Sequence, residues 1–373
     1  MHIAVLGAGM VGRAIAIDLA KDFDVTSFDL SPVSLEILQK KCAAIRTVQT
    51  DLGDFNNYPS LLASFDYVVN AVPGFMGYAA LEAIILSKKN VVDISFFAED
   101  ALQLDALAKS NGVTAITDCG VAPGLSNLVL GHYNETMQIQ SFECLVGGLP
   151  KQRILPFEYK APFSPIDVLE EYTRPARYQE NGHIVTRPAL SEPELIDFEK
   201  PGTLESFNTD GLRSLLFTMS HIPDMKEKTL RYPGHISLIQ ALLKAGFLDT
   251  NPIEYKGQTI VPRAFTSAVL FNQWKLGPTE PEFTLMRVTI NDSKKSIGCL
   301  LYDEYDAATE ISSMSRTTGY TCTGAVRLLV NNYFTEKGVF PPELVGKHPA
   351  CFEFMLAHLK ERNISFVITE KPI

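Results

Sequence analysis

Three features of the 373-residue sequence predict an α/β protein, with a doubly wound parallel sheet first and an α+β domain after it. Over the first 120 residues, short β-rich runs alternate with helical patterns, the signature of a parallel sheet covered by helices on both faces. A glycine-rich turn follows the first run at once. After Pro123 the texture changes: runs lengthen, and Pro156, Pro162, Pro165, Pro175, Pro188 and Pro193 punctuate the chain. A chain of this length also exceeds what one hydrophobic core usually serves, so two domains are expected.

The strand candidates of the first domain run His2 to Gly7, Asp24 to Leu30, Ala44 to Gln49, Tyr67 to Val72, Asn90 to Ser95 and Thr114 to Thr117. Between them, Met10 to Ala20 places Val11, Ile15 and Leu19 on one helical face, and Ala101 to Lys109 repeats leucine at 102, 104 and 107. Six strands complete a doubly wound domain. Farther on, strands are expected at Gln138 to Gly147, Gln258 to Pro262, Glu282 to Ile290 and Gly298 to Tyr305. Alternation within Phe283 to Ile290 predicts one buried sheet face, and a partly exposed sheet offers a surface for a homodimer. Helical spacing returns in Thr318 to Tyr333 and in Phe352 to Leu359.

Composition excludes several classes. With 46% hydrophobic and 20% charged residues, the chain is globular rather than disordered. A net charge of −10, with no acidic tail or basic arm, is the wrong sign for a general nucleic-acid binder. No apolar run approaches the roughly 20 residues of a membrane helix. The N-terminus reads as a strand rather than a cleavable signal, so a cytoplasmic protein is expected. The cysteines at 42, 119, 144, 299, 322 and 351 form no CxxC pair, so neither a metal site nor a disulfide framework is expected.

Gly7-Ala8-Gly9-Met10-Val11-Gly12 follows an apolar strand directly and opens a helix, the context in which this spacing signifies a Rossmann dinucleotide site. Gly7 permits the tight turn, Gly9 lets backbone approach a pyrophosphate, and Gly12 allows close helix packing; the amides from Met10 and Val11 onward face the anion. Asp29 ends the second strand, where a carboxylate binds the ribose hydroxyls and repels a 2′-phosphate. With no Arg or Lys in the next six residues, NAD is the expected cofactor. Capping of the following helix by Asp29 or Ser31 is the competing reading. Asp51, past the third strand, is placed either to meet the adenine edge or to stand in a solvated loop.

Ligands of such a sheet lie beyond the carboxyl ends of its strands. Asn70, Ala71 and Pro73 after the fourth strand, and Pro123 opening a helix after the sixth, are therefore expected to face the nicotinamide. Asp93 and Asp118 are candidates to hold an amine or to cap their strand ends. Cys119 is expected to pack rather than react.

Here the residues become specific. The loop DCGVAPGLSN (118–127), VGGLPK (146–151), SPIDVLEEYTRPAR (164–177), DGLRSLL (210–216), LRYPGH (230–235) and SSMSRTTG (312–319) together resemble the saccharopine dehydrogenase family over nearly the whole chain. The resemblance implies a Rossmann domain at 1–124, a substrate and dimerisation domain at 125–313, and C-terminal helices at 314–373 that return to the Rossmann domain. Its nearest pattern is that of members oxidising the side-chain amine of L-lysine with NAD, giving ammonia and 2-aminoadipate 6-semialdehyde. Members that join lysine to a dicarboxylic partner, members acting on carboxylated polyamines, and a sensor that has lost turnover remain open.

Such chemistry requires a clamp for the α-carboxylate, a deprotonated amine and an activated water. Arg213 and Arg231 lie within matched motifs and are the expected clamps, with Asp118 beside the substrate; Arg174, Arg177 and Arg316 are weaker candidates. His235 ends LRYPGH and is the expected proton-transfer group, with Asp93 and Lys160 as competing bases. For His235 a structural role, and for Lys160 an exposed strand end, are the competing readings.

Overall fold

The structure, a computed structural model, describes residues 1–163 and 165–373. The first six strands are β1 (His2–Leu6), β2 (Asp24–Asp29), β3 (Arg46–Gln49), β4 (Tyr67–Asn70), β5 (Asn90–Asp93) and β6 (Thr114–Ile116), all parallel to their neighbours. Their order, β6-β5-β4-β1-β2-β3, puts a topological switch beside the glycine turn. Alternate residues of β1 serve opposite faces: Ile3 and Val5 join one core, and Ala4 and Leu6 join the other. Burial on both sides explains why these strands read as continuous apolar runs.

The second sheet is mixed. It is built from β7 (Ser141–Pro150), β8 (Ala176–Glu180), β9 (His183–Arg187), β10 (Glu194–Phe198), β11 (Gly202–Asn208) and β12 (Asp224–Arg231). A separate hairpin, β13 (Ile253–Tyr255) and β14 (Gln258–Ile260), precedes the long antiparallel pair β15 (Glu282–Asn291) and β16 (Lys295–Glu304). β12 runs parallel to β7, while β15 pairs antiparallel on β7's other side, with Leu285 opposite Gly147. The single buried face expected for Phe283 to Ile290 is corrected: Phe283 and Leu285 enter one core while Met286, Val288 and Ile290 enter another. Helix Ser313–Val330 and an aromatic cluster cover the two sides.

The C-terminal segment contributes to both sheets. β17 (Gly338–Phe340) adds a seventh strand parallel to β6. It is only three residues long and lacks any alternation that would reveal it. Helix Ser313–Val330 packs on helix Met10–Leu19, where the buried Asp18 carboxylate accepts from Arg327 Nη1 at 3.1 Å, Arg362 Nε at 2.8 Å and Thr323 Oγ1 at 2.7 Å. The Arg362 and Thr323 hydrogen bonds and the two guanidinium charges outweigh burial and hold this carboxyl down at about 2. The last strand, β18 (Phe366–Pro372), instead pairs antiparallel with β16, so the segment does not rest on the first sheet alone. One apolar core, from Ile3 and Ile15 through Met314 to Val288, runs through both halves. No helix among the described residues is long and apolar enough to cross a membrane.

Candidate active site

The two halves enclose a cleft of about 380 Å³ at the carboxyl ends of β1, β4, β5 and β6. At the nucleotide end, Gly7 has φ +107, and a Cβ there would lie 2.4 Å from the Ala71 carbonyl oxygen. A Cβ on Gly12 would lie 2.1 Å from the Gly7 carbonyl oxygen. Above Gly9, by contrast, nothing lies within 4 Å of a Cβ position, which leaves the loop's outer side open to a pyrophosphate. Gly7, Gly9, Met10, Val11 and Gly12 line the cleft with Asp29, Ala71, Pro73 and Pro123.

Asp29 accepts from Ala8 N at 2.6 Å and Ser31 N at 2.7 Å, which anchors its carboxylate at the rim of the glycine loop. The cap of the next helix is Ser31, whose hydroxyl accepts from Ser34 N. Asp51 stands apart, exposed, accepting from Gly53 N at 2.8 Å within its own turn. Asn70 lies under the floor, donating to Gly77 O at 3.2 Å and to Asp93.

Asp93 also lies beneath the cleft, fully buried, and accepts from Ser95 N at 2.6 Å. Burial drives its carboxyl up to about 8, only partly offset by the Asn70 and Ser95 hydrogen bonds. Cys119 packs nearby against Thr321 O, and burial pushes its thiol up, away from the reactive thiolate.

Asp118 lines the cleft, but Arg213 does not. Arg213 Nε binds both Asp118 carboxylate oxygens, at 2.8 and 2.9 Å, and Nη1 donates to Phe97 O. The rings of Phe96 and Phe97 flank its guanidinium at 4.9 and 5.2 Å. Both ends of this pair adopt left-handed backbone, φ 51 at Asp118 and 48 at Arg213. Arg213 therefore joins a loop of the second half to the end of β6, and is not positioned as the carboxylate clamp the motif suggests.

The far wall comes from helix Pro165–Thr173 and its continuation, the loop after β11, and one face of β12. Alternation along that strand points Glu227, Thr229 and Arg231 into the cleft together. Arg231 is 2% exposed and donates to Glu171 Oε2 at 2.7 Å, Tyr172 Oη at 2.9 Å and Leu230 O at 2.9 Å, above the Tyr159 ring. Three of its five N–H groups are thus engaged among the described residues. His235 lies behind this wall rather than in the cleft. Its Nδ1 is 2.9 Å from Phe157 O and its Nε2 is 2.9 Å from Tyr172 Oη. A carbonyl only accepts, so Nδ1 carries the proton, Nε2 accepts from the tyrosine hydroxyl, and that oxygen accepts from Arg231. Burial and the Arg231 charge push His235 down to about 3, so it is a neutral core histidine near neutral pH. Lys160 is also outside the cleft, donating to Lys275 O at 3.4 Å near Glu280.

The family model described as saccharopine dehydrogenase C-terminal domain matches residues 120–364, and the one described as saccharopine dehydrogenase NADP binding domain matches residues 3–116. The chain belongs to the saccharopine dehydrogenase family. Mouse alpha-aminoadipic semialdehyde synthase, mitochondrial, is 22% identical over 91% of this chain and 45% of its own length. Carboxyaminopropylagmatine dehydrogenase from Synechocystis is 22% identical over 93% of both chains. The chain spans about half the length of the first of these relatives. Among solved structures, apo saccharopine dehydrogenase (L-Glu forming) from Saccharomyces cerevisiae superposes with a TM-score of 0.79 at 19% identity, covering 100% of this chain and 99% of that one. That likeness carries the fold.

Within this family fold, sequence reading missed the far-wall residues Glu170, Glu171, Thr209, Asp210, Glu227 and Thr229. The available signal was period two: Glu227, Thr229 and Arg231 alternate with Lys226, Lys228 and Leu230. Arg174, a weaker candidate by sequence, does line the cleft, over Phe96 at 5.4 Å; its Nη2 is 3.8 Å from Glu170 Oε2, and its buried Nη1 has no partner among the described residues.

Proposed function

We propose that this protein is a pyridine-nucleotide dehydrogenase that uses NAD to oxidise the carbon bearing the side-chain amine of L-lysine. The observation that carries this reading is the acid-rich lining of the far wall: Glu170, Glu171, Asp210 and Glu227 line the cleft with Arg174 and Arg231, while Arg177 and Arg263 pair with Asp210 and Glu170 from outside that lining. A substrate with one carboxylate and two amino groups complements such a wall. A condensed substrate with three carboxylates would find two guanidinium groups in that lining, Arg174 and Arg231, each already beside a wall carboxylate.

A bound nicotinamide supplies the hydride acceptor. The glycine loop and the amides of helix Met10–Leu19 hold the pyrophosphate, and Asp29 binds the ribose and rejects a 2′-phosphate. Arg231, braced by Tyr172 and Glu171, and Arg174 bind the substrate carboxylate at the far end, so the reacting carbon is directed back toward Pro123 and Ala71.

Absorbance at the NADH band should rise with NAD and L-lysine alone. A strict requirement for glutamate would replace this reading with a condensing enzyme, and tight NAD binding without turnover of any amine would replace it with a sensor. The same acid-rich wall supports a second reading, a longer carboxylated polyamine, in keeping with full-length similarity to the Synechocystis relative. Preference for such a chain over L-lysine decides for it.

A further inference from the structure

Resting on that reading, we propose that Glu227, Thr209 and Thr229 form a subsite for the non-reacting ammonium group of the substrate, and that this subsite sets specificity for substrates carrying two amino groups.

Glu227 is 8% exposed, and what exposure it has faces the cleft. It stands on β12 four residues before Arg231, so strand periodicity places both on one face, with Thr229 between them. Thr209 Oγ1 donates to Glu227 Oε2 and lies 2.9 Å from Thr229 Oγ1. The result is a carboxyl and two hydroxyls converging on one point of the wall, with acceptor lone pairs and no cation on any of the three. Arg231 serves an anion, so a neighbouring acceptor cluster suits the cation that an α-amino acid or polyamine carries close by.

The surroundings explain why the cluster is suited to a ligand. Glu171 from helix Pro165–Thr173, Asp210 from the loop after β11 and the Cys144 thiol from β7 face Glu227, and none of them is cationic. Burial pushes the Glu227 carboxyl up to about 8, with the Glu171 and Asp210 charges adding to the rise and Thr209 opposing it. A buried carboxyl with no ion partner costs stability, and an arriving ammonium relieves that cost by letting the group ionise. The flanking Lys226 and Lys228 do not line the cleft; Lys228 instead pairs with Glu194 at 3.0 Å.

The test compares L-lysine with 6-aminohexanoate, which keeps the reacting amine and the carboxylate but lacks the α-ammonium. Wild-type protein should favour L-lysine in kcat/KM by about tenfold to a hundredfold, the range of a charged hydrogen bond. Glu227→Gln should bring the ratio close to one through the KM for L-lysine. Thr209→Val should shift it in the same direction by less, and serves if the first variant folds poorly. An unchanged ratio, or an equal collapse of turnover with both compounds, overturns the subsite, the latter placing Glu227 at the reacting carbon. If wild-type protein oxidises neither compound, the lysine reading has failed by itself. Calorimetric binding of putrescine to the NAD-loaded protein then decides: tenfold weakening in Glu227→Gln supports the subsite, and equal binding overturns it.

Discussion

Replacing Arg213 by Met distinguishes a carboxylate clamp from an internal brace. Arg213 is 6% exposed, bonded to both oxygens of Asp118, and flanked by Phe96 and Phe97. Removing the guanidinium strands a carboxylate that is itself 6% exposed and unpairs the Phe97 carbonyl. Breaking a buried pair from one side costs about 3–5 kcal/mol, so the urea midpoint should fall by that equivalent. The double variant Asp118→Asn/Arg213→Met should recover part of the loss, because no charge is then left buried, and the cycle should give a coupling energy of about 1–3 kcal/mol. Both measurements use equilibrium unfolding followed by far-UV circular dichroism. A stability loss under about 1 kcal/mol together with a steep rise in KM for the amine would refute this account and return Arg213 to the substrate site.

Other consequences can be checked in parallel. Asp29→Ala should weaken NAD and raise the NADP-to-NAD ratio of kcat/KM by about tenfold or more, because Arg13, held on Ala8 O at 2.9 Å beside that carboxylate, becomes the nearest cation for a 2′-phosphate; an unchanged ratio removes Asp29 from the ribose. Gly12→Ala places a Cβ 2.1 Å from the Gly7 carbonyl oxygen and should abolish NADH fluorescence enhancement, whereas retained affinity would mean that the loop can shift. Asp93, Glu227 and Glu282 are each raised to about 8 by burial, so the folded state keeps protons that the unfolded chain releases. Their contribution is full below the ordinary carboxylate range and is lost as pH rises through about 8, at most about 1.4 kcal/mol per pH unit for each group. Melting temperature should therefore decline from about pH 5.5 to about pH 8.5, and Glu282→Gln should flatten the slope; an identical slope contradicts the assignment.

The local half of this protein was legible because local rules govern it. A strand, a tight turn and a helix start share one short stretch, so the roles of Gly7 and Gly12 follow from spacing, and the structure places close backbone contacts at both positions. Asp29 was likewise accessible, since the end of the second strand of such a sheet always meets the loop after the first. The motif in which Arg213 lies showed that the residue matters without showing to what. A guanidinium with a carboxylate partner in the fold and one reserved for a ligand have the same sequence, and only the approach of Asp118 separates them.

His235 illustrates the same boundary from the other side. Its unperturbed chemistry suits proton transfer, but tertiary packing enclosed it among Tyr159, Tyr172 and Trp274 and removed its charge. The sequence by itself determined the parallel sheet, the nucleotide loop and the family, because periodicity and turn chemistry act over a few residues. Tertiary structure alone decided which charges face the cleft. Glu171, Thr209, Glu227 and Arg231 come from a helix, a loop and a strand far apart in the chain, and their meeting depends on the pairing of β12 with β7 and β11, which no local rule encodes.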